Sequence, residues 1–352
     1  MIKIGIVTII DNNNYGNRLQ NYALQEVLKA MGAEVVTLEN YWIFGNRKTY
    51  IYNKLKYSNF NKHYSDNEIR KNNFILFNKL INFSDKVISP FDKCRDFDYI
   101  ICGSDQVWNP YFGTTDITLL TSIEPTKRIA YAASFGVNSM KEETQKKYKK
   151  ELTKFHSISV REKTAQKIVE LLCERKPEVV IDPTMLLETT DWTKVAKKPN
   201  EIENNEKFIV TYFFDDSDDK IEYVNRINKK YGYKVYNLLE INKCGKISEM
   251  GPSEFIYMIS KSVLVLTDSF HACVFSLLFH VPFIVFDRTD SVCDMSSRID
   301  DLLNKFNLND RKKEFADVND VFCVDFSNVD FILKSERMKS IDYLRKNIKF
   351  SS

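Results

Sequence analysis

Met1-Ile2-Lys3-Ile4-Gly5-Ile6-Val7-Thr8-Ile9-Ile10 opens the chain, and the polar stretch Asp11-Asn12-Asn13-Asn14-Tyr15-Gly16 follows directly. Residues 2–10 are a β-branched apolar run, the composition of a buried strand. From Asn17 to Met31 the apolar residues recur at helical spacing, with Leu19, Ala23 and Val27 on one side and Leu24, Leu28 and Met31 beside them. Gly32 is placed to end that helix, and Ala33 to Leu38 reads as a second strand. Strand, helix and strand in succession make a βαβ unit, which predicts a parallel sheet.

Outward from this unit the alternation continues. Tyr99-Ile100-Ile101-Cys102, Arg128 to Phe135, Ser157 to Val160 and Val179-Val180-Ile181 read as further strands, with helices near 141–156 and from Arg161 onward. The polar, aperiodic run around 194–206 is the best linker candidate. Beyond it, strands at about 207–214, 233–238, 263–267 and 282–286 alternate with helical patterns at about 218–231, 252–260 and 271–279. The reading is therefore α/β, with two Rossmann-like parallel-sheet lobes facing a cleft. Its boundaries are an N-terminal lobe over 1–193, a linker at 194–206, a C-terminal lobe over 207–327 and a C-terminal helix within 328–352 with the option of crossing back to the first lobe. Residues 41–65 stand apart, carrying Tyr41, Trp42, Phe44, Tyr50, Tyr52, Tyr57, Phe60 and Tyr64 with Arg47, Lys48, Lys54, Lys56 and Lys62 and no acidic residue.

Composition narrows the function classes. A chain of 352 residues that is 43% hydrophobic can bury a core, and its 51 basic and 48 acidic residues leave a net charge of only +3. That balance lacks the global field of a nucleic-acid-coating protein. The seven cysteines are odd in number and never spaced C-x-x-C, which argues against a disulfide scaffold or a zinc knuckle. The four histidines, His63, His156, His271 and His280, form no spaced metal motif, so no metal site is expected. No stretch approaches the roughly 20 apolar residues of a membrane span. The expected location is the cytoplasm.

Chemistry is sought at the carboxyl ends of the strands, where loops of parallel sheets bind ligands. The apolar strand Val263-Leu264-Val265-Leu266-Thr267 stops at Asp268-Ser269, and Phe270 to Phe279 reads as a buried helix. Ser269 or Asp268 is a natural N-cap, the first-turn amides favour an anion, and His271 stands inside that turn. A histidine there can exchange a proton beside a bound phosphate or carboxylate. The bland reading of an isolated histidine here is local packing or capping. Arg161 follows the strand Ile158-Ser159-Val160 and suits bidentate binding of an anion, against the plainer reading of a salt bridge with Glu162. On the first lobe, Asn17, Gln20, Asp105, Gln106, Trp108 and Ser134 follow strands and could line an acceptor side, with Trp108 offering a flat face to a sugar; each is equally a turn residue.

Taken in order, the motifs resemble those of the polysaccharide pyruvyl transferases. They are Asn14-Tyr15-Gly16 with Leu19-Gln20 and Tyr22-Ala23-Leu24-Gln25, Gly103-Ser104-Asp105-Gln106-Val107-Trp108, Ala130-Tyr131-Ala132-Ala133-Ser134-Phe135-Gly136, Ser159-Val160-Arg161-Glu162, Ile181-Asp182-Pro183-Thr184, Thr267-Asp268-Ser269-Phe270-His271, Pro282 and Arg288. The resemblance implies a fold like the two-lobed glycosyltransferase-B type. It also implies transfer of pyruvate from phosphoenolpyruvate to two hydroxyls of a sugar in a cell-surface or exopolysaccharide precursor, forming a cyclic ketal. The donor would be served by His271 and Arg161, with Ser269, Phe270, Ala272, Arg288 and Arg298 around it. Phosphoenolpyruvate is a co-substrate, and the chemistry requires no cofactor.

The family commonly has Gly-Thr after the histidine, where this chain has Ala272-Cys273. Expected partners are phosphoenolpyruvate and a sugar or lipid-linked oligosaccharide, with no nucleic acid. Peripheral contact of segment 41–65 with the inner membrane face is one option, through local positive charge and ring stacking. The rival readings are a two-lobed glycosyltransferase using a nucleotide sugar and a non-catalytic glycan-binding member of the family.

Overall fold

The computed structural model describes residues 1–40, 67–112, 116–215, 217–239, 249–288, 296–316 and 320–350, so the basic aromatic segment 41–65 lies outside the described residues. In chain order the elements begin β1 (Ile2–Val7), α1 (Tyr15–Ala30), β2 (Ala33–Thr37), α2 (Glu68–Asn78), β3 (Tyr99–Asp105), β4 (Arg128–Ala133), α3 (Glu142–Leu152), β5 (Ser157–Val160), α4 (Lys163–Cys173) and β6 (Glu178–Val179). They continue with α5 (Thr189–Val195), β7 (Phe208–Tyr212), α6 (Asp218–Tyr231), β8 (Lys234–Asn237), α7 (Pro252–Lys261), β9 (Leu264–Thr267), α8 (Phe270–Leu278), β10 (Phe283–Val285), α9 (Ser296–Phe306) and α10 (Val329–Asn347).

The chain divides into two compact units. The first comprises Met1–Ser65, Leu76–Leu187 and Ser335–Ser352, and the second Asp66–Ile75 and Glu188–Lys334. Residues 194–206, expected as a linker, belong to the second unit, where the Lys197 amide donates to the Ser253 carbonyl at 3.0 Å. Beyond Ser335, α10 belongs to the first unit, where the Tyr343 hydroxyl reaches the Ala130 carbonyl at 2.9 Å and Ser340 Oγ accepts the Ile181 amide at 3.1 Å.

Each unit is built on a parallel sheet, as the alternation predicts. The first has six strands in the order β2-β1-β3-β4-β5-β6, with Ile4 opposite Val35 on one side and Tyr99 on the other. The second has four, in the order β10-β9-β7-β8, with Val210 opposite Val265 and Tyr236. Burial on both faces explains the near-continuous apolar strands: Ile4, Ile6, Ile100 and Ile101 are sealed in the first core and Ile209, Leu264, Leu266 and Ile284 in the second.

The strand orders locate the chemistry. In each sheet the order reverses once, between β1 and β3 in the first and between β7 and β9 in the second. At such a switch point neighbouring connections depart to opposite faces, opening a crevice at the carboxyl ends of the strands. In the first unit those ends carry Thr8 to Asn14 and Ser104 to Gln106. In the second they carry Phe213 to Asp215 and Asp268 to His271.

Candidate functional site

The first unit gathers charge at its switch point. Gly103, at φ +123°, lets β3 pass so close to β4 that a Cβ would lie 2.1 Å from the Tyr131 carbonyl oxygen. Two residues on, Asp105 has φ +68°, in the left-handed region that aspartate tolerates better than most residues. Its carboxylate accepts from Asn17 Nδ2, in the first turn of α1, and from Arg161 at 3.2 Å. Asn17 is held there because the Asn14 side chain caps the helix by accepting the Asn17 amide at 3.2 Å. Gln20, one turn further, accepts the Ser104 amide at 3.1 Å and donates to Thr8 Oγ1 at 2.8 Å.

Arg161 is the hub of this network. Its guanidinium, only 2% exposed, donates to Asp182 at 2.7 Å and to Asp105 at 3.2 Å, with Glu162 at 3.7 Å from Nε. Burial pulls against its charge, and the Asp182, Asp105 and Glu162 carboxylates together outweigh that pull, so the guanidinium is held above its ordinary pKa. Asp182 in turn accepts from Ser104 Oγ at 2.9 Å and caps the short turn at Pro183 through the Thr184 amide and hydroxyl, at 3.0 and 2.7 Å. The structure thus places Arg161, expected to serve an anionic donor, within a network of buried carboxylates of its own unit. Its Nη1 and Nη2 atoms each donate to a carboxylate, so an anion approaching the guanidinium meets Asp105 and Asp182 already bonded to it.

The acceptor-side expectations divide. The structure brings Asn17, Gln20 and Asp105 together, whereas Gln106, Trp108 and Ser134 form the adjoining turn. Trp108 offers no face to a sugar: it is 0% exposed, packed against Phe135 and Phe155 at ring-centroid distances of 5.3 and 5.7 Å, and its indole N–H donates to the Thr118 carbonyl at 3.1 Å. Ser134 is likewise sealed, its backbone bonded to Asp105 and Trp108 and its hydroxyl accepting the Gly136 amide. Gln106 accepts from Asn109 at 2.6 Å and sits beneath Gly136, where a Cβ would lie 2.1 Å from its Oε1.

In the second unit, β9 ends at Thr267, whose hydroxyl donates to the Tyr212 carbonyl at 2.6 Å and accepts the Ser269 amide at 3.0 Å. That pair of bonds sets the turn. Ser269 is the N-cap of α8, its hydroxyl accepting the Ala272 amide at 3.5 Å, and every residue of the helix is buried. His271 occupies the first turn with its ring against Phe270, centroids 5.4 Å apart. The turn presents its amides toward the carboxyl edge of the sheet, an arrangement that favours negative charge. Arg288, three residues past β10, donates from Nε and Nη2 to the Asp268 carbonyl at 3.3 and 3.2 Å, and its guanidinium lies 4.1 Å from the Phe214 ring centroid. The expected residues Ser269, Phe270, His271, Ala272 and Arg288 thus meet at one edge. Arg298 lies buried within α9. Burial pushes the Cys273 thiol up and the Asp268 charge pushes it further, which keeps it protonated and removes it as a nucleophile.

Several residues of these clusters were not singled out from the sequence. Asp182 lay in a recognised motif, but its bond to Arg161 spans 21 residues. Lys220, Asp215 and Phe214 had a signal: Phe213-Phe214-Asp215-Asp216-Ser217-Asp218-Asp219-Lys220 places a single cation among four acids after a strand.

Two Rossmann-like units, each with charged side chains at the switch point of a parallel sheet, define a two-unit α/β protein. The chain belongs to the polysaccharide pyruvyl transferase family, whose sequence profile matches residues 14–291. Membership makes it a transferase with a polysaccharide acceptor. No curated protein matches the chain at a significant level. Among solved structures, a protein from Listeria monocytogenes assigned as a UDP-N-acetylglucosamine 2-epimerase is similar over 97% of this chain and 90% of its own, at 11% identity and a TM-score of 0.50. The UDP-GlcNAc 2-epimerases of Neisseria meningitidis, bound to UDP-GlcNAc, and of Methanocaldococcus jannaschii are 12% and 15% identical, with TM-scores of 0.46 and 0.45; they cover 96% and 95% of this chain and 100% of their own. At these identities the likeness concerns the fold. Among the described residues no helix is long and apolar enough to cross a membrane.

Proposed function

We propose that the protein transfers pyruvate from phosphoenolpyruvate to two hydroxyls of a sugar in a cell-surface or exopolysaccharide precursor, closing a pyruvate ketal. The observation that carries this reading is His271 in the first turn of α8, at the same sheet edge as Arg288 and the Ser269-capped amides. Phosphoenolpyruvate presents a carboxylate and a phosphate to cations and helix-start amides, and a methylene carbon to an acid. His271 protonates that methylene, placing cationic character on C2. One sugar hydroxyl forms a C2–O bond, the C2–O bond to phosphate breaks, and the second hydroxyl forms the other C2–O bond. Of the two hydroxyl protons, one replaces the proton given by His271 and the other leaves with inorganic phosphate. Arg288 and the α8 amides bear the anionic charge throughout.

On the acceptor side, Asn17 and Asp105 are the groups offered to hydroxyls, and Arg161 acts through Asp105. No cofactor and no metal enters this scheme. A lipid-linked acceptor would be met at the cytoplasmic face of the membrane, with segment 41–65 as the contact.

The test is thermal stabilisation and phosphate release. Phosphoenolpyruvate is expected to raise the Tm and nucleotide sugars are not. His271→Ala is expected to cut turnover about 10²- to 10⁴-fold while changing the Tm little. Stabilisation by a nucleotide sugar alone would move the protein to glycosyl transfer, and equal losses of turnover and stability would make His271 a packing residue.

A further inference from the structure

Lys220 breaks a local rule. It stands in the first turn of α6, where the helix dipole favours acids and disfavours cations, and its side chain is only 3% exposed. A buried ammonium persists only when paired. Lys220 is paired twice, with Asp215 and with Asp268 Oδ2 at 2.8 Å, and it lies over the Phe213 ring. The neighbouring acids of the first turn, Asp218 and Asp219, suit the dipole; Lys220 does not, so its place follows from the carboxylates beyond the helix.

Asp268 is what the lysine serves. Its two carboxylate oxygens accept the Phe214 amide at 3.0 and 3.1 Å, its backbone oxygen accepts from Arg288, and the turn it begins carries Ser269 and His271. Three connections therefore converge on one residue: β7 to α6, β9 to α8 and the segment after β10. The titratable groups acting on its carboxylate are Lys220 from the first, itself paired with Asp215, Cys273 from the second, and Arg288 from the third, whose Nε is 3.7 Å from Oδ1; His271 stands three residues on in the same turn. An ionised Asp268 that lost Lys220 would have Arg288 as its nearest cation among the described residues, and the guanidinium would be drawn from the carbonyl toward the carboxylate.

We propose that Lys220 is a positioning residue of the donor site: by neutralising Asp268 it keeps Arg288 on the Asp268 carbonyl and against Phe214, and so fixes the cation relative to His271 and the start of α8. This rests on the donor reading above.

Burial already raises the Asp268 pKa, with Arg288 and Lys220 pulling it back. Lys220→Met removes one of those pulls. A carboxyl whose folded pKa is raised favours the protonated form in the fold, so stability is retained at low pH and lost as pH climbs through the folded pKa.

The experiment compares wild type, Lys220→Met, Lys220→Arg and Lys220→Met/Asp268→Asn as full-length proteins. Lys220→Met is expected to raise the KM for phosphoenolpyruvate about tenfold with kcat within about threefold, and Lys220→Arg to restore most of it. The Tm loss of Lys220→Met is expected to be larger at about pH 8 than at about pH 5.5, and the added Asp268→Asn to abolish that pH dependence. A Tm loss equal at both pH values, or an unchanged KM, overturns the assignment. Absence of any phosphoenolpyruvate response in wild type strikes the donor reading instead, and the stability comparison, which needs no ligand, then decides alone whether Lys220 compensates Asp268.

Discussion

At the scale of single residues, the molecule treats its two prominent arginines in opposite ways. Arg161 is sealed among three carboxylates, whereas Arg288 is 17% exposed, bonded to the Asp268 carbonyl and 3.7 Å from that residue's carboxylate. Substituting the first removes the counter-ion of Asp105, Asp182 and Glu162 together. Arg161→Ala is expected to cost about 3–5 kcal/mol, because three buried carboxylates lose the cation they share. In denaturant titrations the loss should shrink as pH falls, since protonation relieves the stranded charges; a loss independent of pH would show that the arginine serves packing alone. The sequence made His271 legible because an apolar strand, a serine cap and a buried helix point to one turn. It could not show that Arg161 is sealed by carboxylates, since both arginines follow strands, and Asp105 and Asp182 lie 56 and 21 residues away from Arg161.

At the scale of elements, α1 and α8 could be read because each packs one periodic face or is apolar throughout. Helix α2 was not read from the sequence. Its buried Arg70, Phe74 and Phe77 alternate with the exposed Ile69 and Leu76, so the apolar residues mark no single face. Helices α5 and α9 escaped for a simpler reason, being short or following a polar stretch. For α10 the anchoring is specific. The Tyr343 hydroxyl accepts from Ser157 Oγ at 2.6 Å and donates to the Ala130 carbonyl at 2.9 Å, tying the helix to β5 and β4. Tyr343→Phe is expected to lower stability by about 1–2 kcal/mol, read as a shift of the urea midpoint with an unchanged slope. No shift would mean that the ring, not the hydroxyl, holds the helix.

At the scale of the whole molecule, neither unit is a continuous length of chain. The two parallel sheets were legible because strand and helix periodicities alternate on either side of residue 200, resuming after the aromatic segment 41–65. The discontinuity was not, because it depends on contacts between residues far apart in sequence. Arg70 Nη1 donates to the Met250 carbonyl at 2.9 Å, Asn73 to the Glu249 carbonyl at 2.9 Å, and Gly251 lies so near α2 that a Cβ would meet the Asn73 Cβ at 2.6 Å. A chain ending at residue 334 is therefore expected to leave the first sheet incompletely protected from amide exchange along β4 and β5, with the second sheet protected as in the full chain. Equal protection of both would show that α10 is dispensable.

The same threading dictates an order of events on the ribosome. Residues are added from the amino end at about 5–20 per second, so Arg70 waits for a partner made 180 residues later. The Ala130 carbonyl waits 213 residues for Tyr343. The unit begun first is thus the unit finished last, and β4 and β5 lack the helix that Tyr343 ties to them until the chain of the other unit is complete.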